Sequence, residues 1–402
     1  MPSALPEGEA APLDGSLPAE ALEGRAARPF GVYVHVPFCA TRCGYCDFNT
    51  YTATELGGGA DQAAYADTLS HEIALAARVL GEGPPAQTVF FGGGTPTLLP
   101  AADLVKALTA VRDTLGLAAG AEITTEANPE SVDEAYLAEL RDGGFTRVSF
   151  GMQSARPHVL AQLERRHTPG RSAAVVAEAR RAGFEHVNLD LIYGTPGESD
   201  DDWRASLEAA IGAGPDHVSA YALIVEDGTR LAGQVRRGEL PMPDDDVLAD
   251  RYLIADDLLS RAGLHWYEVS NWASDRSARC LHNELYWRSA DWWGFGPGAH
   301  SHVGGVRWWN VKHPSAYAAR LNGGQSPAAA RELLRDEDRR VERVLLETRL
   351  RDGLPLTELT DGGPKAAAGF VDEGLATLEG DRLVLTIRGR LLADAVVRGL
   401  LG

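Results

Sequence analysis

Cys39-Ala-Thr-Arg-Cys43-Gly-Tyr-Cys46 is the stretch on which the reading of this chain turns. It places three of the four cysteines within eight residues, directly after the apolar, strand-like run Val32–Val36. The fourth, Cys280, stands far away, so the cysteines do not form the disulfide framework of a small secreted domain. Three thiolates on a short loop can converge on one iron–sulfur cube and leave an iron open to a small molecule. A structural zinc ion would want four ligands, commonly as two Cys pairs, and no second pair exists. The spacing therefore predicts a cubane cluster held by Cys39, Cys43 and Cys46.

Outward from this loop the chain alternates strand-like and helix-like stretches. The strand-like runs are Val32–Val36, Thr88–Phe91, Glu122–Glu126, Arg147–Phe150, Val187–Ile192 and His217–Ile224. Helical patterns lie near 61–80, 101–115, 131–142, 157–182 and 201–212, with Ser131 and Asp133 as N-cap candidates for the third. Six successive βα units imply parallel strands joined by right-handed crossovers, short of the eight in a closed barrel. The expected fold is α/β, a partial (β/α)6 barrel over 29–235. Residues 1–28, rich in Ala, Pro, Gly and Glu without a hydrophobic period, are expected to be disordered. A Trp-rich extension spans 236–325, holding seven of the eight tryptophans together with Cys280, His282, His300 and His302. Residues 326–402 follow a helix, helix, strand, helix pattern that predicts a winged-helix-like domain.

The chain has 402 residues, 44% of them apolar, and a formal net charge of −19. Such acidity argues against nucleic acid as a partner, because that needs a basic footprint. No apolar run reaches the ~18 residues of a membrane span, and the N-terminus lacks the pattern of a secretory signal, so a cytoplasmic location is expected.

Two further features bear on a cofactor. The second strand-like run ends in Gly92-Gly93-Gly94-Thr95-Pro96, where glycines permit close approach of a ligand to the backbone, although the same run also suits a plain βα turn. Glu126, Gln153 and Asp190 end later strands, and polar residues at the carboxyl ends of parallel strands share one mouth.

The spacing Cys-x3-Cys-x2-Cys, with Tyr45 before the third Cys, resembles the signature of the radical S-adenosylmethionine (SAM) superfamily. The longer run Tyr33-Val-His-Val-Pro-Phe-Cys39 and Cys46-Asp-Phe48 resembles the family of oxygen-independent coproporphyrinogen III oxidases (HemN) and their relatives, the heme chaperones (HemW), from about residue 30 to the end. The resemblance implies a [4Fe-4S] cluster, SAM bound at its open iron, and an electron donor that reduces the cluster. It assigns SAM contacts to Tyr33, Tyr45, Gly93, Gly94, Thr95, Glu126, Gln153, Arg165 and Asp190, Arg165 being chosen over Arg166 by its spacing from Gln153.

Within that family, two functions compete. One is oxidative decarboxylation of coproporphyrinogen III; the other is binding heme and handing it to an acceptor protein, membrane-associated acceptors included. The oxidase has a fourth Cys where this chain has Phe48, and a longer segment before its barrel. His282-Asn283-Glu-Leu-Tyr286-Trp287 matches the His-Asn-x-x-Tyr-Trp motif of the chaperones. Chaperone function is thus the expectation, with oxidase activity as the alternative. Imidazole is a good axial ligand for heme iron and aromatic walls suit a porphyrin face. His282, Asn283, Tyr286 and Trp287 are therefore the expected heme site, with Cys280 as a second ligand and His300 and His302 as substitutes, against the plainer reading of a Trp-rich core.

Overall fold

The computed structural model describes residues 8–56, 62–360 and 362–402. Strands β1 (Phe30–Val36), β2 (Ala86–Gly93), β3 (Leu117–Ala127), β4 (Arg147–Gln153), β5 (His186–Tyr193) and β6 (His217–Ala222) lie side by side in sequence order, every neighbouring pair parallel. Helices Tyr65–Leu80, Ala101–Leu115, Glu134–Asp142, Arg171–Arg181 and Asp200–Ala213 connect them and cover the outer face. Both faces are therefore shielded, which is why β1 reads as the near-continuous apolar run Phe-Gly-Val-Tyr-Val-His-Val. The core between strands and helices includes Val32, Val34, Phe91, Phe150, Leu189 and Trp203, each fully buried. Asp133 caps its helix by accepting from the Tyr136 N–H at 2.8 Å.

Among the described residues the sheet continues on both sides of this partial barrel. Asp291–Phe295 pairs in parallel with β1, and His300–Val303, Val306–Asn310 and Ala328–Leu333 follow antiparallel. Beyond β6 lie Asn271–Ala273 and His265–Glu268. The Trp-rich segment thus wraps both edges of the barrel instead of standing apart from it. The expected start of the last domain at 326 falls one strand too early, because Ala328–Leu333 pairs with Val306–Asn310. Beyond it, helices Asp336–Glu347, Gly363–Asp372 and Ala393–Leu401 pack on a small antiparallel sheet of Leu354–Pro355, Ala376–Glu379 and Arg382–Leu385 around a separate core of Val344, Leu383 and Val396, a winged-helix-like arrangement.

Two expectations are corrected. Residues 8–28 are not disordered. Glu9–Ala10 pairs with Arg331 and Ala330, buried Arg25 donates to the Leu80 and Glu82 carbonyls, and Arg28 bonds Asp291 at 2.7 Å. These contacts use backbone and guanidinium groups, not an apolar period, so hydrophobic patterning could not reveal them; residues 1–7 lie outside the described residues. The helix expected over 157–182 is two, Pro157–Gln162 and Arg171–Arg181, parted where Glu164 takes a left-handed φ of 55° and Thr168-Pro169-Gly170 resets the chain.

Candidate cofactor site

The cysteine loop leaves the carboxyl end of β1, and the glycine turn leaves the carboxyl end of β2 beside it. The Gly94 N–H donates to the Val36 carbonyl at 2.8 Å and the Thr95 N–H to the Phe38 carbonyl at 2.8 Å. A Cβ on Gly93, whose φ is 110°, would lie 2.5 Å from the His35 ring; one on Gly94 would lie 2.5 Å from the Phe38 carbonyl oxygen. Glycine is required there by close packing of the two loops. His35, a residue that the sequence reading passed over, holds both sides. Its Nδ1 bonds the Tyr33 hydroxyl and its Nε2 the Asn49 backbone oxygen, each at 2.9 Å.

Cys39, Cys43 and Cys46 are each partly exposed. Burial is the leading cause that pushes the Cys39 thiol up and the Cys46 thiol up to about 11, and charge repulsion from Cys43 adds to both. The Arg165 guanidinium donates to the Cys43 sulfur at 3.6 Å. Such thiols ionise when a metal or cluster supplies positive charge. Among the described residues no three His, Cys, Asp or Glu side chains are gathered to hold a single metal ion. Three sulfurs on one loop, with an arginine beside them and no fourth protein ligand, fit a cluster that keeps one iron open.

The expected SAM residues gather around this loop. Glu126, at the end of β3, accepts from the Gly93 N–H at 3.1 Å. Asp190, on β5, accepts from the Ser149 hydroxyl at 2.7 Å and the Asn188 amide at 2.8 Å. Burial, then repulsion from Asp190, raises the Glu126 carboxyl to about 8; burial raises Asp190 too, opposed by its hydrogen bonds and by Arg165. Gln153 is buried with a left-handed φ of 64°, which turns the chain out of β4. Arg165 also donates to the Gly151 carbonyl at 3.2 Å. Tyr45 packs beside Val159 and Leu163, its hydroxyl pushed up by burial and then by Cys43. Two partly desolvated carboxylates, a guanidinium and a glycine cradle supply partners for amine, hydroxyl and carboxylate groups of one small polar cofactor.

Beside the cluster loop opens a cavity of ≈ 1750 Å³, bounded by Cys43 and Cys46 on one wall and by the 152–173 segment on another. Of the expected SAM residues, Arg165 lines it.

The His-Asn-x-x-Tyr-Trp segment sits beside β1 and β2 below the expected SAM residues. Helix Leu281–Trp287 packs on these strands: a Cβ on Gly31 would meet Leu285, Thr88 bonds His282, and the His282 ring lies 6.4 Å from that of Tyr33. Glu122 accepts from the Leu281 and His282 N–H groups at 3.2 and 3.0 Å and pairs at 2.9 Å with Arg147, which in turn donates to the Ala278 and Arg279 carbonyls. His282 is 1% exposed. Its Nδ1 bonds the Thr88 hydroxyl at 2.7 Å, its Nε2 the Tyr286 hydroxyl at 2.9 Å, and its ring stacks on Phe90. Both ring nitrogens are hydrogen-bonded in this arrangement, and the expectation that His282 ligates heme iron remains a proposal. Cys280 is buried, its thiol donates to Glu122 at 3.7 Å, and its acidity is suppressed by burial. Asn283 and Trp287 lie beside the buried Glu268 carboxylate, which accepts from the Asn271 amide. His302 bonds the Ala290 carbonyl, and His300 stacks on Trp309.

Residues 33–210 match the radical SAM superfamily. The chain is 57% identical over 375 residues to "Heme chaperone HemW" of Mycobacterium tuberculosis (strain H37Rv), covering 93% of this chain and 95% of that one. It is 30% identical over 379 residues to "Heme chaperone HemW" of Bacillus subtilis, covering 92% and 98%. The structure of coproporphyrinogen III oxidase (HemN) from Escherichia coli superposes with a TM-score of 0.80 at 23% identity, over 95% of this chain and 92% of that one, a likeness of fold. The chain belongs to the HemW family of the radical SAM superfamily, and membership of that superfamily implies a [4Fe-4S] cluster and SAM.

Proposed function

We propose that this chain binds heme and passes it to an acceptor protein, carrying a [4Fe-4S] cluster on Cys39, Cys43 and Cys46, with SAM held by the nine residues gathered beside it. The observation that carries this reading is 57% identity across 93% of the chain to a relative named heme chaperone. Phe48, 47% exposed where the oxidase has a fourth Cys, agrees with it. The bound cofactors supply one-electron chemistry or a SAM-dependent control of heme handling. The chain's own residues orient SAM through Glu126 and Asp190, screen the cluster sulfurs through Arg165, and exclude water through the packed glycine turn. Chemistry at such a cluster would need an electron donor as a further partner. A cytoplasmic setting suits the reading, and among the described residues no helix is long and apolar enough to cross a membrane.

The test is titration of the anaerobically reconstituted protein with ferric heme. About one heme should bind per chain while iron and sulfide of the cluster are retained. Failure of the wild-type protein to bind heme contradicts the proposal.

A further inference from the structure

The hairpin of His265–Glu268 and Asn271–Ala273 carries two adjacent side chains that reach helix Leu281–Trp287 and the residue before it. In a regular strand adjacent side chains point to opposite faces. Here the register shifts between Trp266 and Glu268, a bulge that lets Tyr267 and Glu268 serve the same segment. The Tyr267 hydroxyl accepts from the Cys280 N–H at 3.2 Å and bonds His217 Nε2 at 2.8 Å. Glu268 lies beside Asn283 and Trp287. The turn between the two strands is tight. Ser270 takes a left-handed φ of 89°, unfavourable for a residue other than glycine, and its carbonyl accepts from the Ala220 N–H at 2.8 Å. Such a conformation persists where the surrounding contacts fix it.

Glu268 and Asn271, 1% and 2% exposed, are partners across this hairpin. The Asn271 amide donates to Glu268 Oε1. Glu268 Oε2 and Asn271 Oδ1 are left over, both buried and both without a hydrogen-bond partner of normal geometry. Two buried acceptors without a donor are costly. An ionised carboxyl can relieve neither, since a carboxylate only accepts. One proton on Oε2 satisfies both: the acid O–H donates to Oδ1 while the amide N–H donates to Oε1. Burial raises the Glu268 carboxyl to about 8 against the Asn271 donor, and Glu284, itself paired with Arg279 at 3.2 Å, adds repulsion. The other titratable groups around it, Tyr221, Tyr267 and Cys280, are each pushed well above their ordinary values by burial.

We propose that Glu268 is a neutral carboxylic acid joined to Asn271 by two hydrogen bonds, and that this pair is the positioning element for Asn283 and Trp287 of the expected heme site. The inference rests on the reading of the chain as a heme-binding protein. A neutral acid offers a donor and an acceptor together and needs no counter-ion. Ionisation replaces the O–H with a second bare oxygen beside Oδ1, drives the pair apart, and shifts the side chains that rest on the carboxyl. Heme binding then depends on a proton remote from the iron.

The test uses the cluster-loaded full chain. Glu268→Gln keeps the shape and the donor–acceptor pattern of the acid; Glu268→Ala removes both. In ferric heme titrations at neutral pH, Glu268→Gln should bind as the wild type does, and Glu268→Ala should lose about tenfold or more in affinity, the scale on which supporting residues act. Raising the pH through about 8 should weaken heme binding by the wild type more than by Glu268→Gln; the difference between the two profiles cancels the titration of heme itself and of Glu126. Infrared difference spectra of the heme-free protein, wild type minus Glu268→Gln, should show the carbonyl stretch of a protonated carboxyl at neutral pH. Iron content and thermal melts accompany each variant, and where Glu268→Ala does not fold the glutamine variant alone decides. Loss of heme affinity in Glu268→Gln, unchanged affinity in a folded Glu268→Ala, parallel pH profiles, or an absent carboxyl band overturns the inference while the heme-binding reading stands. A wild-type chain that binds no heme contradicts that reading and the positioning role with it, whereas the protonation of Glu268 stands or falls on the carboxyl band.

Discussion

Glu126 and Asp190 are two carboxyls on strands either side of β4, near enough for Asp190 to repel charge on Glu126, and the Glu126 chemistry is pH-dependent in a defined direction. Burial and repulsion raise Glu126 to about 8, above the ~4.3 of an unfolded glutamate. A raised carboxyl contributes most below its unfolded value, and that contribution fades as pH rises through the folded value. In the cofactor-free protein, Glu126→Gln should therefore raise the melting temperature by a few degrees near pH ~9 and give no gain below pH ~4; an equal effect at both would contradict the assigned environment. With the cluster in place, Glu126→Ala and Asp190→Ala should each weaken the SAM-induced change in the reduced-cluster EPR spectrum without loss of iron. Unchanged SAM affinity in both would remove them from the site. Cys39→Ala, Cys43→Ala or Cys46→Ala should each abolish the ~four irons and ~four sulfides per chain, and Cys280→Ala should not. Loss of the cluster from Cys280→Ala by itself would refute the ligand set. The sequence already carried these residues, because cysteine spacing and strand-end polarity are local signals. It did not carry the state of His282. Whether that imidazole has partners depends on Thr88, 194 positions away in the sequence.

At the scale of elements, the six parallel strands were legible because fully covered strands are written as apolar runs. Asp291–Phe295 was not legible as a seventh parallel strand: Asp-Trp-Trp-Gly-Phe has no period, and its partner is β1, some 260 residues earlier by the Arg28–Asp291 separation of 263. The N-terminal segment escaped for the same reason, since its ties are a backbone pairing to Arg331 and two arginines. A chain starting at Pro29 should melt several degrees lower than the full chain while keeping its iron. An unchanged melting temperature would show that these contacts stabilise nothing. Helix Leu281–Trp287 is held by the buried Glu122–Arg147 pair, with side chains 6% and 1% exposed. Glu122→Gln leaves Arg147 charged and without its counter-ion, a loss on the order of 3–5 kcal/mol. A melt within a degree of wild type would contradict the anchoring role of the pair.

Over the whole molecule, the carboxyl ends of the strands carry the cluster loop, the two carboxyls Glu126 and Asp190 and the cavity beside Cys43 and Cys46; helix Leu281–Trp287 packs on β1 and β2 with His282 and Leu285 buried. The winged-helix-like region has its own small core and follows the last strand of the main sheet. The central claim is that this radical SAM fold handles heme and does not decarboxylate a porphyrinogen. Its most direct test is anaerobic incubation of the cluster-loaded protein with coproporphyrinogen III, SAM and a reductant, followed by chromatography of the porphyrins. The account predicts no protoporphyrinogen IX from a preparation that binds about one heme per chain. Sustained conversion of coproporphyrinogen III by that same preparation would contradict it.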